Sequence, residues 1–261
     1  MRVHQGRMAR VRQGCEEGRV RRVAPPSRSP IGTPIGLSGR GITYNMKVFT
    51  KNRIIDYELT HRSDTLAVFM SGLDGDMESP LLKKASKEFS KRGYSTIRFN
   101  FFTNEMKKFS FKVYLQTLRE LLMSLKYQRY VFVGHSFGAI ISILFLNKFK
   151  SYKNKSELII WEPSLLPWKK EGLEDDVPGL NKTFTRELTT INTAKIFKSL
   201  KKKSCLIASS DSAGSYIRKY GEAFIIKKGG HLLLDPKVQK QLFAQTFDFL
   251  KTKASIIPSK F

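Results

Sequence analysis

Residues Gly134-His135-Ser136-Phe137-Gly138 of this 261-residue chain form a G-x-S-x-G pattern, whose central serine is a candidate nucleophile for acyl transfer. Taken alone the pattern is weak, because ordinary glycine and serine usage produces it by chance in about one such chain in ten. Its flanks make it specific. The motif works only on a sharp strand-to-helix turn that thrusts the hydroxyl out above a sheet edge. Here Val131-Phe132-Val133 precedes it and Ala139-Ile140-Ile141-Ser142-Ile143 follows. The nucleophile of such a turn is strained, and side chains at the two glycine positions would collide with neighbouring backbone.

A serine hydroxyl attacks a carbonyl only when a base takes its proton and an acid orients that base. The chain has four histidines. His4 lies near the N-terminus, His61 precedes an early strand, and His135 sits inside the turn, where packing or turn geometry is its expected role. His231, in Lys228-Gly229-Gly230-His231-Leu232, follows the last expected strand and is the candidate base. The favoured acid is Asp211, just beyond the 205–209 strand at the edge where the sites of parallel sheets gather. Glu162, after the preceding strand, is its competitor, while Asp175 and Asp176 lie in an irregular stretch. The oxyanion needs preorganised N–H donors. The backbone N–H groups of Phe137 and Leu73 are the candidates. Asp74-Gly75-Asp76 reads as a tight turn, because no third cation ligand stands at suitable spacing. Neither a zinc-type cluster nor a phosphate-cradling loop is present, so no cofactor is expected.

The elements that must position these groups alternate short apolar runs with amphipathic stretches, the order of βαβ units around a parallel sheet. Strands are expected at 65–70, 95–99, 130–133, 157–161, 205–209 and 223–226. Helices are expected at 80–92, stopped by Gly93, at 113–127, at 137–149, near 190–200, and from Asp235-Pro236 onward. Prolines 163, 167 and 178 break the rhythm, and residues 163–203 are expected to form a small cap. Leu165, Leu166, Trp168 and Leu173 in it either line a pocket or cover the core.

A length of 261 residues, 41% hydrophobic and 26% charged, suits one sizeable core. Two widely spaced cysteines argue against a disulfide framework and for a reducing compartment, so a cytoplasmic location is expected. No run approaches the ~18 apolar residues of a membrane helix. The extreme value is the net charge of +25. Residues 1–45 carry nine arginines and no lysine, whereas all 30 lysines lie from Lys47 onward. So different a usage marks 1–45 as a disordered, Arg-rich extension, with the folded domain at 46–261. A transit-type peptide and a nucleic-acid-binding arm are the other readings of the extension. Elsewhere lysine covers solvated faces. The densest cluster, Lys195, Lys198 and Lys201 to Lys203, is where weak association with anionic surfaces would fall, without a specific nucleic-acid partner.

Over 48–252 the chain resembles the α/β-hydrolase superfamily, most closely compact esterases of the cinnamoyl/feruloyl, dienelactone-hydrolase-like and monoacylglycerol-lipase-like kinds. Ser71-Gly72-Leu73-Asp74-Gly75-Asp76 with Ser79-Pro80-Leu81 looks like their oxyanion loop and first helix, and 93–100 like their next strand. The resemblance implies a mostly parallel sheet flanked by helices on both faces. It implies a cofactor-free hydrolase of carboxylic esters acting through an acyl-enzyme, with nucleophile, acid and base falling on Ser136, Asp211 and His231. Thioesterases, amidases and acyltransferases share that triad, and a non-catalytic binding protein on the same fold is the contrasting class. Ser71 stands where many relatives have histidine, Ala139 replaces a frequent glycine, and the 211–231 segment is short.

Overall fold

The computed structural model describes residues 42–50, 54–73, 75–100, 110–169 and 181–255. They form one eight-stranded sheet of order β1-β2-β4-β3-β5-β6-β7-β8. The strands are β1 (Ile42–Phe49), β2 (Ile54–His61), β3 (Thr65–Met70), β4 (Ser95–Phe99), β5 (Arg129–His135), β6 (Ser156–Trp161), β7 (Ser204–Ser209) and β8 (Phe224–Ile226). From β4 to β8 every neighbouring pair is parallel, while β1–β2 and β2–β4 are antiparallel. The α/β-hydrolase fold expected from the sequence is therefore present.

The antiparallel β1–β2 pair is the element that the sequence reading lacks. Residues 42–45, read there as extension, make up the first half of β1. Both strands do alternate, Ile42, Tyr44, Met46 and Val48 in β1 and Ile55, Tyr57 and Leu59 in β2, but β1 is an edge strand whose residues 42–47 are all exposed, so its apolar stripe is not buried. The rest of the expected extension lies outside the described residues.

The central strands are buried on both faces, which is why they read as continuous apolar runs. Alternate residues divide between two cores. Leu66, Val68, Tyr130, Phe132, Leu158 and Ile160 face one cluster with α2 (Phe111–Leu125) and α3 (Phe137–Lys148). Ala67, Phe69, Val131, Val133, Ile159 and Trp161 face the other. That second face is covered by α1 (Pro80–Lys91) and by a long C-terminal helix, α8 (Pro236–Ser255). Residues 137–146 of α3 are buried on every side, so this helix is apolar all round rather than amphipathic. At α1, Ser79 makes no side-chain cap bond, and Pro80 at the first turn starts the helix instead.

Among the described residues, four short α-helices lie between α3 and β8: α4 (Lys150–Lys153), α5 (Lys182–Thr190), α6 (Thr193–Phe197) and α7 (Gly214–Ile217). The helix expected near 190–200 is the shorter α6, which Asn192 caps by accepting from Lys195 N–H, and α5 precedes it as a separate helix that the sequence pattern did not mark. Within the expected cap, Phe184, Leu188, Phe197 and Leu200 join the core cluster of α2 and α3, so this part of 163–203 flanks the sheet. Leu166 is 1% exposed and covers that core; Leu165 and Trp168 pack against it half-buried. Leu173, Asp175 and Asp176 lie outside the described residues.

Candidate active site

The C-terminal ends of β5, β6, β7 and β8 bring the candidate groups to one edge. Ser136 sits between β5 and α3 with φ 52° and ψ −118°, a conformation that L-residues rarely adopt. The turn is locked by Ser136 N–H donating to Trp161 O at 3.0 Å and Ala139 N–H donating to Ser136 O at 3.1 Å. Both glycines are sterically required. A Cβ on Gly138 would lie 2.1 Å from Met70 O, and one on Gly134 would lie 2.7 Å from Ala139 Cα. Gly138→Ala is accordingly expected to cost about 3 kcal/mol, since backbone and not a yielding side chain blocks the methyl. In a domain of this size that is a fall of ~10 °C in melting temperature, measurable by calorimetry.

Ser136 Oγ lies 2.9 Å from His231 Nε2. The structure thus joins the two candidates that are 95 residues apart in sequence. His231 is on the loop after β8, its side chain 44% exposed. Two strained residues flank this loop, Lys228 and Leu233, both with φ 51°. Together with Ser136 and Glu162 (φ 46°) they are all the positive-φ non-glycine residues among those described, except Lys126 at a helix end. Backbone strain is therefore concentrated where these groups meet.

The carboxylate facing the other nitrogen of the His231 ring is not that of Asp211. Glu162 Oε2 lies 3.6 Å from His231 Nδ1, and its side chain is fully buried at the end of β6. Glu162 is aimed by its own backbone, whose N–H donates to Ile207 O at 3.0 Å. Its carboxylate also accepts from the backbone N–H groups of Ser209 and, at 3.2 Å, Ala213. Asp211 Oδ1 instead accepts from Ser209 Oγ and, at 3.0 Å, from Gly230 N–H. Those two bonds, the hydroxyl first, hold the Asp211 carboxyl below its usual range. Asp211 thereby ties down the Gly229-Gly230 turn that precedes His231, with Ser209 Oγ accepting from Gly229 N–H at 2.6 Å. Both Glu162 and Asp211 fall between Ser136 and His231, so the chain order Ser, Asp/Glu, His and the spacing carry no information on which carboxylate the ring meets.

Gly72 borders Ser136, its Cβ position falling 3.4 Å from Ser136 Cβ and 3.7 Å from Ser136 Oγ. Ser71, where many relatives have histidine, closes the same loop by donating to Gly75 O at 2.8 Å. Phe137 begins α3, and its ring is held in an aromatic cluster with Phe111, Phe184 and Trp168. Ser164 is a site residue that sequence reasoning did not find. Its Oγ lies 3.3 Å from Ser136 Oγ, and its position right after β6, beside Glu162-Pro163, is the signal that marks it.

His135 ends β5 with its ring 7% exposed. Burial, the largest effect on it, holds its pKa below 6.5. The folded protein thus keeps this ring neutral while the unfolded chain protonates it. Stability is then lost as pH falls through about 6.5 and stops falling below the lower folded pKa. In chemical denaturation at pH 5 and pH 7.5, His135→Gln is expected to show a smaller difference between the two than the native protein. An equal difference contradicts the assignment.

The open cleft of about 720 Å³ lined by Lys198, Lys201, Arg218 and Lys219 lies elsewhere, at the opposite, N-terminal ends of β7 and β8. No group of three or more metal-ligating side chains occurs among the described residues. None of the described helices is long and apolar enough to cross a membrane.

No protein-family model and no curated sequence matches the chain. Solved structures do match its backbone. Est1E from Butyrivibrio proteoclasticus with ferulic acid bound has a TM-score of 0.66 at 14% identity, covering 80% of this chain and 99% of that one. A structure from work on carboxylesterases of the thaumarchaeon Nitrososphaera gargenis gives 0.64 at 14%, covering 80% and 100%. Mouse alpha/beta hydrolase domain-containing protein 10 gives 0.64 at 9%, covering 80% and 99%. Sheet order, nucleophile turn and these likenesses define one class: the chain has the α/β-hydrolase fold.

Proposed function

We propose that this protein is a serine hydrolase of carboxylic esters. The observation that carries the reading is the 2.9 Å contact of Ser136 Oγ with His231 Nε2 at a strained strand-to-helix turn. Ser136 attacks the acyl carbon while His231 takes its proton and then delivers it to the leaving alcohol. The backbone N–H groups of Phe137 and Leu73 receive the developing oxyanion, which is worth a few kcal/mol to the transition state. Water activated by His231 then releases the acyl group. The half-exposed His231 ring gives water a route to the acyl-enzyme, which favours hydrolysis over transfer to a second bound acceptor.

The orienting acid in this reading is Glu162, and Asp211 acts through the loop. Glu162 is buried on the Nδ1 side of the ring, and contacts of this kind tighten when substrate binds. The names of the structural neighbours, among them carboxylesterases and a protein holding ferulic acid, support an ester substrate. No cofactor is required. A reducing, cytoplasmic setting suits the free, partly buried Cys205, whose thiol burial pushes up to about 12. Weak contact with anionic surfaces belongs to the basic cleft of Lys198, Lys201, Arg218 and Lys219, away from Ser136.

A fluorophosphonate probe tests the reading: folded protein should be labelled stoichiometrically at Ser136. Failure of folded protein to label overturns it in favour of a binding protein. A series of p-nitrophenyl esters from acetate upward then reads the acyl preference.

A further inference from the structure

We propose that His135 is a positioning residue that sets the place of His231 by holding its backbone carbonyl. This rests on reading Ser136 and His231 as nucleophile and base. The His135 ring is almost fully buried, and its Nε2 lies 2.8 Å from the carbonyl oxygen of His231. A carbonyl only accepts, so Nε2 carries the hydrogen and donates it. In the neutral ring Nδ1 is then a lone pair, and it faces the Gly72 loop, whose Cβ position is 3.9 Å away. One ring, on the residue next to the nucleophile, thus bonds the loop of the base and lies beside the loop of the proposed oxyanion donor.

The need for such a clamp follows from what else holds His231. Before it, the turn is pinned through Gly229 and Gly230 to Ser209 and Asp211. After it, Leu233 is fully buried. At residue 231 itself the side chain is half-exposed, and the ring's Nδ1 has only long contacts, 3.5 Å to Ser212 Oγ and 3.6 Å to Glu162 Oε2. The His135 bond is the backbone anchor at the base's own residue, and a displacement there moves Nε2 relative to Ser136 Oγ directly. Misplacement by about 1 Å costs on the order of 10²-fold in rate. Neutrality matters too. The two ring centroids are 5.3 Å apart, so a charge on His135 would oppose the imidazolium that forms on His231 during the reaction.

The test is a pair of amides that differ in reach. In His135→Gln the side-chain N–H₂ stands where Nε2 stood; in His135→Asn it falls short. Both bury an amide in one site, so their comparison separates reach from polarity and from general destabilisation. His135→Asn should lower kcat for p-nitrophenyl acetate, and the rate of fluorophosphonate labelling, by about 10²-fold with KM within about twofold. His135→Gln should recover both rates to within about fivefold of the native protein. The His231 ring Cε1–H resonance, read by NMR without turnover, should broaden or shift in the Asn variant and return toward native in the Gln variant. Equal rates and equal resonances in the two variants overturn the proposal, as does an Asn variant at native speed. If the native protein does not label at all, the hydrolase reading fails, and the resonance comparison still decides whether His135 positions His231. Should the Asn variant not fold, a Gln variant as slow as Ser136→Ala overturns the proposal and a near-native one supports it.

Discussion

Ser136→Ala is expected to abolish fluorophosphonate labelling and to lower kcat for short p-nitrophenyl esters by about 10⁶-fold. The size of the effect follows from what the residue does in the proposed reaction. Without Oγ no acyl-enzyme forms, and water must attack an ester held only by the remaining backbone donors. The variant should fold normally, because Ser136 is half-buried and alanine relieves none of the contacts that fix the turn. Its unusual φ of 52° comes from the pleat around it, locked by Trp161 O and by close packing at Gly134 and Gly138. Stability within about 0.5 kcal/mol of native, measured by denaturation, accompanies the loss of activity. Retained esterase turnover above 10⁻² of native would place the chemistry at another residue.

Glu162→Gln is expected to lower kcat by about 10⁴-fold, and Asp211→Asn by about tenfold. The amide in the first variant turns its N–H₂ either toward Ser209 N–H and Ala213 N–H, from which the carboxylate accepted, or toward the Nδ1 side of His231. The imidazolium then lacks its counter-charge, and the ring is free to take the wrong tautomer. Asp211 meets no atom of the ring. Its loss loosens the Gly229-Gly230 turn through one N–H and one hydroxyl, so the base stays in place most of the time. The order of the two effects decides the assignment. A large effect at Asp211 with a small one at Glu162 would return the acid to the position after β7.

Much of the scaffold was legible in the sequence. The 65–70 and 95–99 strands fall where apolar runs and their bounding turns put them. Gly93 ends α1 with φ +86°, the left-handed position a helix stop needs. The β1–β2 pair also carries an alternating pattern, Ile42, Tyr44, Met46 and Val48 in one strand and Ile55, Tyr57 and Leu59 in the other, which the expected strands omit. The helix expected near 190–200 is confined to 193–197, started by the Asn192 cap, and the helix at 182–190 is a separate element.

The site divides the same way. Local sequence determined the nucleophile turn: two glycines that only a backbone without Cβ satisfies, a strand ahead and an apolar helix behind. It also pointed to His231, since a loop after the last strand must arrive at the edge that carries Ser136. Which carboxylate faces the ring was decided only by tertiary structure. Glu162 and Asp211 both follow parallel strands at that edge, and their spacings along the chain do not distinguish them. The choice turns on a positive φ at Glu162 and on backbone donors from β7 and Ala213 that draw its side chain inward, while Ser209 and Gly230 hold Asp211 aside. The role of His135 has the same origin. Its hydrogen bond to His231 spans 96 residues, and only the packing of β5 against the base loop brings donor and acceptor together.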